Sequence, residues 1–210
     1  MGRMGFFDVP PPPVMEFEEE ERAVPAWDGP PKDMLGALVP VERVLFRNDA
    51  LVLVLAAATV FPEGVDLQIT MAARRGEGMD EETWWSRREQ LMGSRSHLRP
   101  GRALPEEIER FGVRFPDGRK ATILDPPPEP GEWPPRRPDG PILRFRYGRA
   151  EPSTRRSVYR NWHLWLWPLP SPETFEFVVE WPGFGVPLTF TEIDAVPIVA
   201  AAVRAQPFWP

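Results

Sequence analysis

The chain has 210 residues, 42% of them apolar and 11% aromatic, which is enough for a sizeable core in one large domain. It contains no cysteine, so disulfides, thiolate metal sites and a cysteine nucleophile are excluded. The formal charge of −6 is concentrated at the start, where residues 1–31 hold seven acids and two arginines; the rest is close to neutral, which argues against binding duplex nucleic acid.

Residues 1–35 combine Pro10 to Pro13, Glu16, Glu18 to Glu21, Pro25, Pro30 and Pro31 with few core-forming side chains. Such a stretch buries too little apolar surface to offset its ordering entropy, and its like charges extend it, so a disordered acidic, proline-rich tail is expected. Phe6, Phe7, Val9, Met15, Phe17 and Trp27 inside it read either as residual stickiness or as a docking motif that orders on a partner. Met1 to Val9 hold no basic stretch followed by a long apolar run, and the most apolar segment, Leu51 to Phe61, falls short of the roughly 20 residues that span a bilayer. A cytoplasmic protein without membrane contact is expected.

Residues 36–210 are expected to form a single β domain. Val41 to Arg47 and Leu51 to Val60 flank Asn48-Asp49, a pair that tolerates the left-handed conformations of a tight turn. After Pro62-Glu63-Gly64, the residues Val65, Leu67, Ile69 and Met71 alternate with polar positions, the mark of a half-buried strand. An insertion at 75–105 holds a helix capped by Asp80, with Trp84 and Leu91 on one side and Gly93 as its stop. Phe111, Val113 and Phe115, the turn Asp117-Gly118 and Arg119 to Leu124 make a second hairpin. The insertion 125–141 has eight prolines in seventeen positions and reads as an extended loop. Leu143, Phe145 and Tyr147 then alternate with Arg144 and Arg146, and Ser157 to Trp167, Phe175 to Trp181 and Leu188 to Ile193 complete the strands. Asp194 caps a short terminal helix from about Ala195 to Arg204.

About nine strands with one dry and one wet face imply two packed antiparallel sheets. The predicted fold is all-β, an immunoglobulin-like sandwich, with a closed barrel as the alternative. Within it, Pro168 to Glu173 is expected to close a hairpin pairing Trp167 with Thr174, which places Leu166, Leu164 and Trp162 in the core opposite Phe175, Phe177 and Val179. His163, Trp165 and Trp167 then point the other way.

The block from Trp165 to Pro170, Phe175 to Glu180, Trp181-Pro182 and the Ala-rich end closing on Phe208-Trp209-Pro210 resembles uncharacterised β-rich proteins of high-GC actinobacteria. That resemblance implies a source and a fold, and no activity. Residue usage points the same way, with only Lys32 and Lys120 as lysines among 25 basic residues, and 29 prolines.

Recognisable catalytic chemistry is missing. His97 and His163 are the only histidines; one sits among Ser94, Arg95 and Ser96 without a nucleophile elbow, the other inside a strand, so no triad is predicted. No metal and no cofactor is expected, since the ligand types for zinc and the glycine patterns for nucleotides are absent. Glu176 and Glu180 share a strand face but stand roughly 13 Å apart, beyond the roughly 5–9.5 Å of a glycosidase pair.

The strand Trp162 to Trp167 is apolar on both faces, so something must cover the second one. One reading is a loop, such as 125–141 with Trp133, or the terminal helix. The other is a binding platform of His163, Trp165 and Trp167 with Arg144 and Arg146, in a region where Arg144, Arg146, Arg149, Arg155, Arg156 and Arg160 outweigh Glu151. The acidic tail, through Glu16 to Glu21 and Phe17, is expected to dock loosely on that basic face. The function expected from the sequence is a non-enzymatic protein-interaction or structural module whose partner is another protein. The alternative is a small-ligand or carbohydrate-binding sandwich using the Trp/Arg face.

Overall fold

The structure, a computed structural model, describes residues 25–92, 104–125, 137–150 and 153–210. Phe6, Phe7, Val9, Met15, Phe17, the acid run Glu16 to Glu21, His97 and Trp133 lie outside the described residues.

In chain order the strands are β1 (Met34–Leu35), β2 (Ala37–Arg47), β3 (Leu51–Val60), β4 (Val65–Arg74), β5 (Arg110–Arg114), β6 (Lys120–Thr122), β7 (Ile142–Ala150), β8 (Ser157–Trp167), β9 (Phe175–Trp181), β10 (Val186–Ile193) and β11 (Gln206–Pro207). Helix α1 (Glu81–Met92) fills the first insertion, and α2 (Val196–Ala201) runs into a 3-10 turn at Ala202–Arg204. All ladders are antiparallel: a five-stranded sheet ordered β2-β3-β4-β8-β7, a four-stranded sheet ordered β10-β9-β5-β6, and the short pair β1-β11. β10 lies beside β2, and β6 beside β7. Among the described residues no ladder joins those edges, so the two sheets stay open.

Local chemistry explains the boundaries. Asn48 accepts from the backbone N–H groups of Ala50 and Leu51 at 2.9 and 2.7 Å and thereby sets the β2–β3 turn. Gly64 is required where β3 turns into β4, because a Cβ there would stand 2.8 Å from the Leu166 carbonyl oxygen and closer still to the Trp165 ring. Asp80 accepts from Thr83 N–H at 2.7 Å and from its hydroxyl at 2.7 Å, the capping that starts α1. Trp84 and Leu91 are the buried residues of that helix, and Trp84 Nε1 donates to the Arg155 carbonyl at 2.8 Å. Asp194 accepts from Val196 N–H at 2.9 Å just ahead of the terminal helix, but the N-cap position is Ala195, without a side-chain cap, and not Asp194 as expected.

One hydrophobic cluster lies between the two large sheets. Val65, Leu67, Ile69, Phe175, Phe177, Val179 and Trp181 are all buried, as the alternation requires. Trp162 meets Phe111 edge-on at 5.4 Å and Trp181 at 6.1 Å, so the two sheets interlock through tryptophans. Glu176 and Glu180, far from acting as a carboxylate pair, each bind a β5 arginine, Arg114 and Arg110.

Three further expectations are corrected. No hairpin joins β8 to β9: residues 168–174 cross between sheets, so β8 pairs with β4 and β7 while β9 pairs with β5 and β10. The faces of β8 are nevertheless as expected, because alternation fixes side-chain direction whichever strand is the neighbour. Tyr147 does not share a face with Leu143 and Phe145, since a register shift between Phe145 and Tyr147 turns it outward to 55% exposure. Finally, residues 25–35 are part of the fold and not of a tail: Trp27 is 6% exposed and Met34–Leu35 pair with Gln206–Pro207.

β2, at the rim of the five-stranded sheet, is interrupted by two register shifts, between Pro40 and Arg43 and between Val44 and Phe46, with Glu42 at φ 54°. Among the described residues no helix is long and apolar enough to cross a membrane.

Candidate functional site

The outer face of the five-stranded sheet carries the residues singled out from the sequence. Its registers place Arg144 beside Trp165 and Tyr147 beside His163 on β7 and β8, with Asp66 and Gln68 next to those tryptophan and histidine positions on β4. His163, Trp165, Trp167, Arg144 and Arg146 are therefore one neighbourhood, as expected.

Trp165 and Trp167 are not an exposed platform. They are 0% and 4% exposed and form a second, separate hydrophobic cluster with Trp27 and Phe61. The cover comes from the strap Pro25 to Pro31, which the composition had assigned to the tail, and not from the terminal helix. Trp165 meets Phe61 edge-on at 5.8 Å and donates its Nε1–H to the Ala26 carbonyl at 3.0 Å. Asp28 turns back on Pro25, its N–H donating to that carbonyl at 2.8 Å, and sends its carboxylate to Arg144 at 2.6 Å. Arg146 donates to the Asp28 carbonyl at 3.0 Å. The Arg144 guanidinium also lies 5.3 Å from the Trp27 ring centre, and Arg137 lies 4.8 Å from that of Trp167. A Cβ at Gly29 would come to 2.6 Å from the Arg146 guanidinium, the far end of an exposed and flexible side chain that could shift to admit it. Two buried donors in this neighbourhood, Arg144 Nη2 and Trp167 Nε1, have no hydrogen-bond partner among the described residues.

The strap is held by side chains. Pro25, Pro30 and Pro31 have no N–H to offer a ladder, and residues 25–31 join no strand. Burying the Trp27 side chain favours docking by about 1.5–3 kcal/mol, and the Asp28–Arg144 pair, its side chains 35% and 23% exposed, adds roughly 0–1 kcal/mol. Backbone ordering opposes this, less so where proline has already restricted the chain. Local opening of the strap is therefore easier than unfolding of the sheets, because the strap joins no ladder.

Beside the strap, His163 Nδ1 lies 2.7 Å from Asp66 Oδ2, a hydrogen bond in which the ring nitrogen donates to the carboxylate oxygen. Tyr147 stacks on the imidazole at 4.2 Å and 18°. Burial, and after it the Asp66 charge, push the Tyr147 phenol above its ordinary value. The neighbouring hydroxyls are engaged with amides: Gln68 Nε2 donates to Thr59 Oγ1 at 2.8 Å, and Thr70 Oγ1 donates to Asn161 Oδ1 at 2.9 Å. The Asp66–His163 couple thus resembles the base half of a triad, and among the described residues no hydroxyl is hydrogen-bonded to the His163 ring. Two open concavities lie at the other end of the sheet, one near Arg75 and Arg155, the other near Arg47 and Tyr159. Neither adjoins His163 or Trp165, and no group of three or more His, Asp or Glu that could hold a metal ion stands among the described residues.

Sequence reasoning singled out Trp27 only as one of the tail's apolar exceptions, not as part of this site, and it missed Asp66 and the outward turn of Tyr147. A signal existed for the first: a lone tryptophan followed by Asp-Gly and bracketed by prolines suits an extended segment anchored by one ring. Comparison with known proteins found no matching family model, no similar curated protein and no similar solved structure.

Proposed function

We propose that the chain is a non-enzymatic protein-interaction module of a bacterial cytoplasm, with the β7–β8 face of its five-stranded sheet as the binding surface. The observation that carries this reading is the capture of Ala26–Asp28, a stretch outside every strand, through one ring, one carboxylate and two main-chain carbonyls. Those are the elements by which a rigid sheet recognises a peptide. The scaffold fits the role: its likeness to immunoglobulin domains lies in two sheets around one core, while the β2-β3-β4 meander gives it a strand order of its own. The test is affinity capture from the native host with the chain and with an Arg144→Glu, Arg146→Glu variant. A partner held by the first and lost by the second supports the reading; capture indifferent to both charges overturns it.

A second reading, a carbohydrate-binding sandwich, rests on Tyr147. That residue is 55% exposed and stacked on His163, on the sheet face that also carries Gln68, Thr70 and Asn161, a row of amide and hydroxyl groups suited to sugar hydroxyls. Binding on a glycan array that disappears in Tyr147→Ala would favour it; an array without a hit would remove it.

A further inference from the structure

We propose that the cleft between Arg144, Arg146, Trp165 and Trp167 is a binding site for a short aromatic–acidic–glycine peptide of another protein, and that Ala26–Gly29 fills it as a tethered stand-in. This rests on the reading of the β7–β8 face as a protein-binding surface and names what that face recognises.

The consecutive residues Ala26 to Asp28 supply the ring, carboxylate and carbonyl contacts of the strap. The indole of Trp27 enters the cluster of Phe61, Trp165 and Trp167. The Asp28 carboxylate meets Arg144, and the Ala26 and Asp28 carbonyls take hydrogen bonds from Trp165 and Arg146. Gly29 leaves room for the Arg146 guanidinium. None of this depends on the segment belonging to the same chain, because Pro25, Pro30 and Pro31 keep it out of the ladders on either side. A peptide from another molecule with the same side chains would make the same contacts.

Charge selects an acidic ligand. Arg144, Arg146 and Arg149 project from β7, and Arg137 stands over Trp167; Asp28 is the carboxylate that the strap brings to them. The strap also leaves capacity unused, since Arg144 Nη2 and Trp167 Nε1 are buried donors without an acceptor among the described residues. A ligand carrying a second carboxylate or an extra carbonyl next to the Asp28 position would use what the strap does not, and so could displace it.

The strap lowers the affinity of the intact chain for such a ligand by the fraction of time the cleft is open. The test uses a fluorescent peptide spanning Pro25 to Pro31, a second peptide with Asp28→Asn, and fluorescence anisotropy against the full chain and its Trp27→Ala variant. The peptide is expected to bind Trp27→Ala and to bind the unaltered chain about 10- to 100-fold more weakly. The Asp28→Asn peptide is expected to lose about fivefold. If Trp27→Ala does not fold, the full chain with Asp28→Asn takes its place, because it loosens the strap and leaves the cleft whole. Flat anisotropy up to millimolar peptide overturns the proposal, and so does equal binding of the two peptides. A dimer of the unaltered chain that Trp27→Ala abolishes overturns it too, by assigning the strap to exchange between copies. A partner captured through Arg144 and Arg146 together with no peptide binding would remove this assignment and leave the interaction surface standing.

Discussion

The two faces of β8 are equally dry and differently supported. On the inner side Trp162, Leu164 and Leu166 are buried under a four-stranded sheet whose own ladders keep it in place. On the outer side Trp165 and Trp167 are buried just as deeply under a strap that joins no ladder. Burial therefore says how much water has been excluded and not how firmly the cover is attached. The inner cover leaves when the domain unfolds, whereas the outer one can leave alone.

Removing a ring from the inner side should have the largest effect on stability. Phe177→Ala is expected to cost about 3–5 kcal/mol in denaturant titration, the usual cost of emptying an aromatic core site. A loss under about 1 kcal/mol would mean that the two sheets do not share one core.

Removing the ring of the outer cover should cost less. Trp27→Ala is expected to lose about 1–3 kcal/mol and to raise amide exchange in residues 25–36 while leaving β4 and β9 protected. A loss equal to that of Phe177→Ala, with exchange rising everywhere, would make the strap part of the cooperative core and erase the contrast.

Smaller still is the charge contact. Arg144→Gln is expected to cost less than about 1 kcal/mol, and the difference should shrink in high salt, because both partners of the ion pair reach solvent. A salt-independent loss would place the pair deeper in the strap's support than its exposure indicates.

The exposed cap of α1 gives the smallest effect and a control for acid. Thr83, through its N–H and then its hydroxyl, holds the Asp80 carboxyl below its ordinary value. A depressed folded-state value means that the contribution is present above the ordinary carboxylate range and is lost as pH falls through the folded value. Amide exchange in α1 should therefore rise on acidification, and in Asp80→Ala that acid-dependent step should vanish. Persistence of the step in the variant would assign it to another group.

Strand positions and faces were legible because alternation is a local property: Val65 to Met71 and Phe175 to Trp181 sit as read. Which strand neighbours which was less legible. Pro168 to Thr174 reads as a hairpin because its length allows one, and nothing local reveals that the chain crosses to the other sheet there. Tyr147 was misread because one extra residue reverses the pattern, and a bulge leaves no mark in an alternating run. The candidate site was half legible. Arg144, Arg146, His163, Trp165 and Trp167 were found together, but composition averages over a segment, so the acids and prolines around Trp27 kept that ring, noticed as an exception, in the tail and away from the site it closes.

The interruptions of β2 bear on how these molecules behave when crowded. An eleven-residue rim strand with Leu38 60% exposed would ordinarily invite a strand from a second molecule and begin sheet growth. Here Pro40 offers no N–H, Glu42 turns the backbone through positive φ, and the Arg204 guanidinium occupies the Leu38 carbonyl at 3.2 Å. An incoming strand finds only short stretches to match, too few for a stable nucleus. Resistance to aggregation at this rim is thus built from backbone irregularity, and straightening it, for instance with Pro40→Val, should cost solubility before it costs fold.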